Sequence, residues 1–404
     1  MWHAVAFQPY LPPPLQSVGL IALDPGAVRL ETEIMNYIGL MSGTSMDAID
    51  AVAANISTEK KVVLRATHHE PYPADVKKRL LALRDGAEND IELAAGLDSQ
   101  LGELFAQAAQ HVQRKAGLAA HEIRAIGSHG QTIRHRPDAA HPFSLQIGSP
   151  SVIAEHTGIT TVGDFRSRDI AAGGQGAPLA PGFHSWAFHS PDYRRAIVNI
   201  GGIANVSYLP ADTREPVRGF DTGPGNTLLD AWITRHQHQP YDHAGQWAST
   251  GRCLTELLQR LCSDRFFRIS PPKSTGFEYF SLKWLQHYLA EIGVAPRAED
   301  VQATLVEFTA RSIAQALSRY LPQVDELYVC GGGAHNNRLM AALRANIGMS
   351  PLDTTTALGI DPDWVEAVAF AWLAHQTLEG NAGNVPTVTG ARHAAILGGV
   401  YKVR

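Results

Sequence analysis

The sequence predicts an α/β protein made of two related halves, and three observations carry that expectation. Residues 37–52 (YIGLMSGTSMDAIDAV) and 195–208 (RAIVNIGGIANVSY) share one design: an apolar strand, a turn of small residues, and a second strand. Glycine-rich polar turns close two further strand-like runs, at 219–226 and 331–337, each followed by a helical apolar pattern. Short β-rich runs alternate with long amphipathic segments such as 90–116 and 301–321. With 404 residues and 45% hydrophobic content the chain can bury a large core, and its length suits two domains.

Residues 1–36 contain Pro12, Pro13 and Pro14 and no periodic pattern, so they read as a disordered N-terminal extension, with Met35 a candidate start just before the first strand. The stretch lacks the basic start and continuous apolar run of a secretory signal. No segment elsewhere reaches the ~18 apolar residues of a membrane span. A net charge of −5, from 34 basic and 39 acidic residues, leaves no footprint for nucleic acid or an anionic membrane. Cys253, Cys262 and Cys330 are odd in number and have no CxxC spacing, which argues against a disulfide framework or a cysteine zinc site and favours a reducing cytoplasm.

In the first hairpin, Ile38 and Leu40 are interrupted by Ser42, Gly43, Thr44 and Ser45 before Ile49 and Val52 resume around Asp47 and Asp50. Such a turn exposes several backbone N–H groups, adds hydroxyl donors and lets a bulky anion approach. A nucleotide is the natural guest, and an ordinary Ser/Gly hairpin is the plainer alternative. A strand follows at 61–66, a helix at 75–83, and a long helix at 90–116 whose Leu97, Leu101, Leu104 and Phe105 recur at helical spacing before Gly117 ends it. The strand 123–127 runs into Ser128, His129, Gly130, Gln131 and Thr132, a set of donors and acceptors suited to sugar hydroxyls; a structural histidine is the plainer reading. Residues 162–169 place Asp164, Arg166, Arg168 and Asp169 after an apolar strand and before a glycine-rich segment. Asp164 and Arg166 are therefore candidates for substrate binding, against the solvated face that a charge run usually forms.

A composition shift at 181–191 marks the expected boundary between domain I (37–180, completed by 385–404) and domain II (181–384). Beyond the second hairpin, Asp221 sits at a strand end, and Gly223, Gly225 and Asn226 leave room for phosphate oxygens beside a helix N-terminus. Asp221 can act as a general base, orient water or hold Mg²⁺ indirectly, or merely cap the turn. Lys273, in the loop 271–276, could approach a phosphate, but a solvated lysine is the plainer reading. Gly331, Gly332 and Gly333 imply close backbone contact with something flat or anionic, which a nucleoside satisfies. Glu366 lies in the first turn of a helix, where a carboxylate complements the helix dipole.

Together, GLMSGTSMDAID (39–50), GSHGQT (127–132), VGDFR (162–166), NIGGIANV (199–206), GFDTGPGN (219–226), CGGGAHN (330–336) and DWVEA (363–367) resemble the bacterial anhydro-N-acetylmuramic acid kinases. The likeness runs from residue 37 to the C-terminus in the family's order. One position departs from it. Ala48 stands where a glycine is expected, so an ordinary backbone is expected there, because positive φ costs a non-glycine residue about 1 kcal/mol.

The resemblance implies a two-domain, actin-like ATPase fold (ribonuclease H-like) with a duplicated core and a central cleft. It implies that Gly43, Thr44, Ser45, Met46, Asp47, Ala48, Ile49 and Asp50 contact the ATP phosphates. Gly202, Gly223, Gly225 and Asn226 would supply the second phosphate site, and Gly331, Gly332 and Gly333 would lie by the nucleoside. His129, Gln131, Asp164 and Arg166 would build the sugar pocket. Mg²⁺ would travel with ATP, with no protein ligand assigned, and a homodimer is suggested. The implied substrate is 1,6-anhydro-N-acetylmuramic acid, whose bridge oxygen both leaves C1 and accepts the γ-phosphoryl group. A carboxylate must then activate water for attack on C1, and no separate acid is needed once phosphorus takes the oxygen's electrons. Asp221 is assigned as that base and Glu366 as the group orienting water or sugar. The product is N-acetylmuramic acid 6-phosphate, an intermediate of cell-wall recycling. Two alternatives stand beside this one: another small-sugar kinase of the same fold, and a non-enzymatic actin- or chaperone-like ATP-binding module. A serine hydrolase built on Ser45 lacks both the GxSxG setting and a histidine partner.

Overall fold

The computed structural model describes residues 34–403, apart from 58–59, 87–88, 294–295, 322 and 349–350. Of the expected N-terminal extension, 1–33 lie outside the described residues, and 34–36 open the first strand. In chain order the strands are β1 (Ile34–Met41), β2 (Ala48–Ser57), β3 (Val62–Pro71), β4 (Ile123–Ser128), β5 (Gln131–Arg136), β6 (Phe143–Ile147), β7 (Thr161–Gly163), β8 (Arg195–Ile200), β9 (Ile203–Leu209), β10 (Arg218–Pro224), β11 (Glu326–Cys330), β12 (Leu352–Thr354) and β13 (Gly399–Tyr401).

One sheet has the order β13-β7-β4-β1-β2-β3 and another β10-β9-β8-β11-β12, while β5 and β6 form a separate hairpin. Without β13 the two large sheets follow the same plan. Three antiparallel strands, β1-β2-β3 or β8-β9-β10, continue from their first member into parallel strands, β4-β7 or β11-β12. A repeated order of this kind is the duplicated, ribonuclease H-like arrangement of actin-like ATPases; the two hairpins led us to expect two related halves, and the family resemblance implied this fold. At the chain's end, β13 pairs antiparallel with β7. The buried Asp169 carboxylate fastens the same region by accepting from Gly176 N (2.7 Å), Asn384 Nδ2 (2.6 Å) and Thr389 Oγ1 (2.8 Å).

Helix Asp90–Ala116 buries Leu97, Leu101, Phe105, Ala109 and Val112 in a core shared with Ile38, Leu40 and Ile49. Each large side chain fully buried in this way contributes about 1.5–3 kcal/mol. Helix Ala298–Tyr320 lies in a second core with Val198, Ile200 and Val329 of β8 and β11. A third core surrounds helix Val365–Leu378, which is buried along nearly its whole length. The sequence assigned this helix to domain II, yet it packs on β1, β2 and β4 of the first sheet. Two strand glycines let it approach. A methyl group on Gly39 would stand 1.9 Å from Ala367 O, and one on Gly127 would stand 2.0 Å from Phe370 O. That contact fixes the start of the helix, and Glu366 with it, against the end of the first sheet.

Candidate active site

The first turn is held rigidly from beneath. Ser42 Oγ lies 2.8 Å from both Ala48 O and Gln131 Oε1 and accepts from Tyr72 Oη (3.0 Å). Gln131 Nε2 donates to Gly43 O (3.1 Å). Thr44, Ser45 and Asp47 are thereby left exposed at the tip, with Gly43 half-buried. Met46, at φ 54, takes the left-handed position of the turn and buries its side chain beside Ile49. Ala48 opens β2 in ordinary backbone, as expected. Asp47 pairs with Lys77, and Asp50 Oδ1 lies 2.7 Å from His69 Nδ1.

The second turn is composite. Gly225 N and Thr227 N donate to Gly202 O (2.9 and 3.1 Å), and Asn226 N donates to Gly201 O (2.8 Å). A methyl on Gly225 would stand 2.3 Å from Gly201 O, so only glycine permits this junction. The two turns face each other, since a methyl on Gly202 would lie 3.6 Å from Thr44 Oγ1. Gly331 (φ 79), Gly332 and Gly333 border this junction. A methyl on Gly332 would lie 3.9 Å from Asn226 Nδ2, and one on Gly333 would collide with Ile200. Gly223 differs from the others, because its φ of 147 turns it toward Phe267 and Ser312.

Beneath the turns lies a cavity of about 230 Å³ whose walls include Arg166, Asn199, Asn205, Asp221, Thr275 and Glu366. Strand register builds one wall, as Asn199 pairs with Asn205 and Asn205 with Asp221, giving a polar row across β8, β9 and β10. Asp221 Oδ2 accepts from Thr275 N (2.8 Å), and Asp221 N donates to Lys273 O (3.1 Å). Burial pushes the Asp221 carboxyl up to about 7, against the Thr275 hydrogen bond and the Lys273 charge, which act to lower it. Glu366 is also raised by burial, opposed chiefly by Arg166 and by a hydrogen bond from Asn199, whereas Asp50 pushes the same way as burial. Asn199 is nearly fully buried, and its Oδ1, which has no partner among the described residues, lies against Gly331.

Arg166 is clamped from behind. Its Nη1 donates to Gly176 O (2.8 Å) and its Nη2 reaches His129 Nε2 (2.9 Å), while His129 Nδ1 faces Ser42 O (3.1 Å). Burial and the neighbouring Arg166 charge lower His129 to about 3, so the ring stays neutral, with Nδ1–H donating to Ser42 O and Nε2 accepting from Arg166. Of the four residues expected at the sugar, Arg166 alone lines the cavity. His129 is buried behind it, Gln131 braces the first turn, and Asp164 is exposed at a helix start, accepting from Ser167 Oγ (2.5 Å).

Lys273 corrects the solvated reading. It is 8% exposed, with Nζ 4.4 Å from the centre of the Phe266 ring and 3.4 Å from Phe266 O, and burial lowers it to about 8. Phe266, only seven residues upstream, and the more remote Tyr320 enclose it, and only the fold of the loop brings their rings over the ammonium group. Lys273 lines a larger cavity, about 520 Å³, together with Arg311, Ser312 and Arg319. None of the residues assigned to catalysis or nucleotide binding lines it, whereas Arg166, Asp221 and Glu366 line the smaller cavity, which is therefore the candidate site.

Two opposed small-residue turns, a glycine-lined edge and buried carboxylates beneath them define an ATP-dependent phosphotransferase of the actin-like class. The family model for anhydro-N-acetylmuramic acid kinase matches residues 35–403, and the chain belongs to that family. A relative of that name from Coxiella burnetii (strain Dugway 5J108-111) is 50% identical over 90% of this chain and 97% of its own. Another, from Thiobacillus denitrificans, is 50% identical over 90% of this chain and 96% of its own. Among solved structures, the activator of the 2-hydroxyisocaproyl-CoA dehydratase from Clostridium difficile with bound ADPNP is 14% identical, covers 86% of this chain and 96% of that chain, and has a TM-score of 0.44.

Proposed function

We propose that this protein opens 1,6-anhydro-N-acetylmuramic acid with water while transferring the γ-phosphoryl group of ATP to the bridge oxygen. The products are N-acetylmuramic acid 6-phosphate, ADP and a proton. The observation that carries the reading is Asp221, a cavity carboxylate poised near neutrality and flanked by a row of asparagines. Thr275 N occupies Oδ2 and leaves Oδ1 to take a proton from water. As water attacks C1, the C1–O6 bond breaks and leaves its electron pair on O6, which bonds to the γ-phosphorus as the bond from that phosphorus to the ADP oxygen breaks, so O6 needs no proton. Glu366, with Arg166 and Asn199 beside it, orients the water and sugar. His129 and Gln131 support Arg166 and the first phosphate turn.

The exposed tip at Thr44 and Ser45 and the junction at Gly202, Gly225 and Asn226 hold the phosphates from opposite sides, with Gly331–Gly333 at the nucleoside. Mg²⁺ enters on ATP. The half-buried Asp230, pushed up to about 7 by burial and by the nearby Asp47 and Asp242 charges, is an under-compensated carboxylate suited to such a hard cation, with Asp47 and Asp50 close to the same turn. When bound, Mg²⁺ neutralises charge on the transferring group. Among the described residues no helix is long and apolar enough to cross a membrane. The free thiols of Cys253, Cys262 and Cys330 support a cytoplasmic setting, and the family resemblance supports a homodimer.

Incubation with ATP, Mg²⁺ and the anhydro sugar in ¹⁸O-labelled water tests the reaction. The product should gain the mass of phosphate plus water, with the label at C1. Label confined to phosphate, or a product lacking the added water, would overturn it.

A further inference from the structure

Behind the phosphate hairpin, β3 packs against helix Asp90–Ala116. His68 and Glu70 stand two residues apart on β3, so their side chains share one face. His69 points to the other face, toward Asp50. His111 on the helix completes the first group. Glu70 Oε2 lies 2.8 Å from His68 Nε2 and 2.7 Å from His111 Nδ1, and the three atoms all lie within 4.8 Å of one another. The two imidazoles meet edge to face, with centroids 4.8 Å apart. We propose that His68, Glu70 and His111 form a binding site for a divalent cation of the zinc class, which clips β3 to the helix behind the nucleotide turn.

The donor chemistry selects the ion. Two imidazole nitrogens and one carboxylate suit zinc and its borderline neighbours, whereas Mg²⁺ and Ca²⁺ favour oxygen-only sets. Zinc at ordinary bond lengths needs ligand atoms about 3.3 Å apart, so the present contacts must widen by roughly half an ångström. The side chains are 17%, 23% and 42% exposed, which leaves room for that adjustment and for water as a fourth ligand.

A plain hydrogen-bonded His–Glu–His cluster is the competing account, and Lys115 separates the two. Its Nζ is 3.1 Å from His68 Nδ1 and 3.3 Å from Thr67 O. When His68 holds a cation through Nε2, Nδ1 carries the proton and can no longer accept from the ammonium group. Lys115 therefore opposes metal binding by charge and by hydrogen-bond polarity, and it is exposed enough to swing away. Spacing hid this site in the sequence, because His111 is remote from His68 and Glu70.

The test uses the full chain, stripped with a chelator and titrated with zinc sulfate against a chromogenic zinc indicator, without nucleotide or sugar. One equivalent should bind. Glu70→Gln and His111→Gln should each weaken binding by more than the ~10- to 100-fold that changes outside the ligand shell cost. Lys115→Gln should tighten it, and zinc should raise the thermal midpoint of the wild type but not of the ligand variants. Circular dichroism confirms folding of each variant, and either ligand variant alone suffices. The proposal fails if no equivalent binds below about 100 µM zinc. It also fails if affinity is the same in a folded ligand variant as in the wild type, since the metal then sits elsewhere.

Discussion

Replacing Asp221 with asparagine keeps the side chain's shape and its ability to accept from Thr275 N while removing the base, and the structure predicts opposite effects on turnover and stability. Loss of general-base assistance costs about 10²–10⁴ in rate, so kcat should fall by at least 10²-fold with ATP affinity retained. Stability moves the other way. The folded carboxyl titrates near 7 against an ordinary 3.8, because burial disfavours its charge. The folded state therefore holds its proton more tightly than the unfolded chain. Its stability declines as pH rises from about 3.8 to about 7 and stays lowered above that. The gap corresponds to at most about 4 kcal/mol, a ceiling because the group opens onto a solvated cavity. Asp221→Asn should match the wild type near pH 3.8 and melt at a higher temperature at pH 8. Differential scanning calorimetry across that range and a coupled ADP-release assay read both effects. Near-normal turnover would remove Asp221 as the base, and a lower melting temperature at pH 8 would refute the burial argument.

Lys273→Met should move the acid limb of the rate profile to higher pH, because the lysine charge helps hold Asp221 down. Burial of Lys273 lowers it from 10.5 to about 8, so its cost is full below about 8 and vanishes above 10.5; the variant should gain up to about 3 kcal/mol at pH 7. An unmoved acid limb together with a lower melting temperature would contradict both statements. Gly225→Ala forces a methyl against Gly201 O and should cost about 1–3 kcal/mol while raising KM for ATP and sparing KM for the sugar. Unchanged ATP KM in steady-state kinetics would argue against the composite turn as the phosphate site.

The legible parts of this molecule were those written in local periodicity. The hairpins at β1–β2 and β8–β9, and helix Asp90–Ala116, follow from runs and breakers a few residues long. The candidate site was legible where strands end in glycine and polar residues, which singled out Asp221 and the two small-residue turns. What stayed hidden depends on register or distant packing. Asn199 and Asn205 carried no separate role in the sequence, and only their alignment with Asp221 makes them a cavity wall. The buried environments of Lys273 and His129 depend on Tyr320 and on Arg166, remote in sequence, with Phe266 folded back over Lys273 by its own loop. The packing of helix Val365–Leu378 on the first sheet was hidden because Gly39 and Gly127, whose missing side chains admit it, resemble any strand glycine.

The division of labour between the two carboxylates can be argued from their neighbours. Glu366 is countered by the full charge of Arg166 and takes a hydrogen bond from the Asn199 side chain, both of which favour its charged form. Asp221 has one backbone donor and a more remote lysine, which leaves an oxygen available to a proton. A base needs a free lone pair and a pKa near working pH, while an orienting group needs fixed geometry. Glu366→Gln should therefore retain the acid limb near pH 7, with kcat lowered by about 10-fold or more and sugar KM raised, since orientation suffers while proton transfer to Asp221 survives. Asp221→Asn should abolish that limb. If pH–rate profiles instead show the limb lost in Glu366→Gln and kept in Asp221→Asn, the roles are reversed, and Asn199 and Arg166 must be regarded as tuning the base.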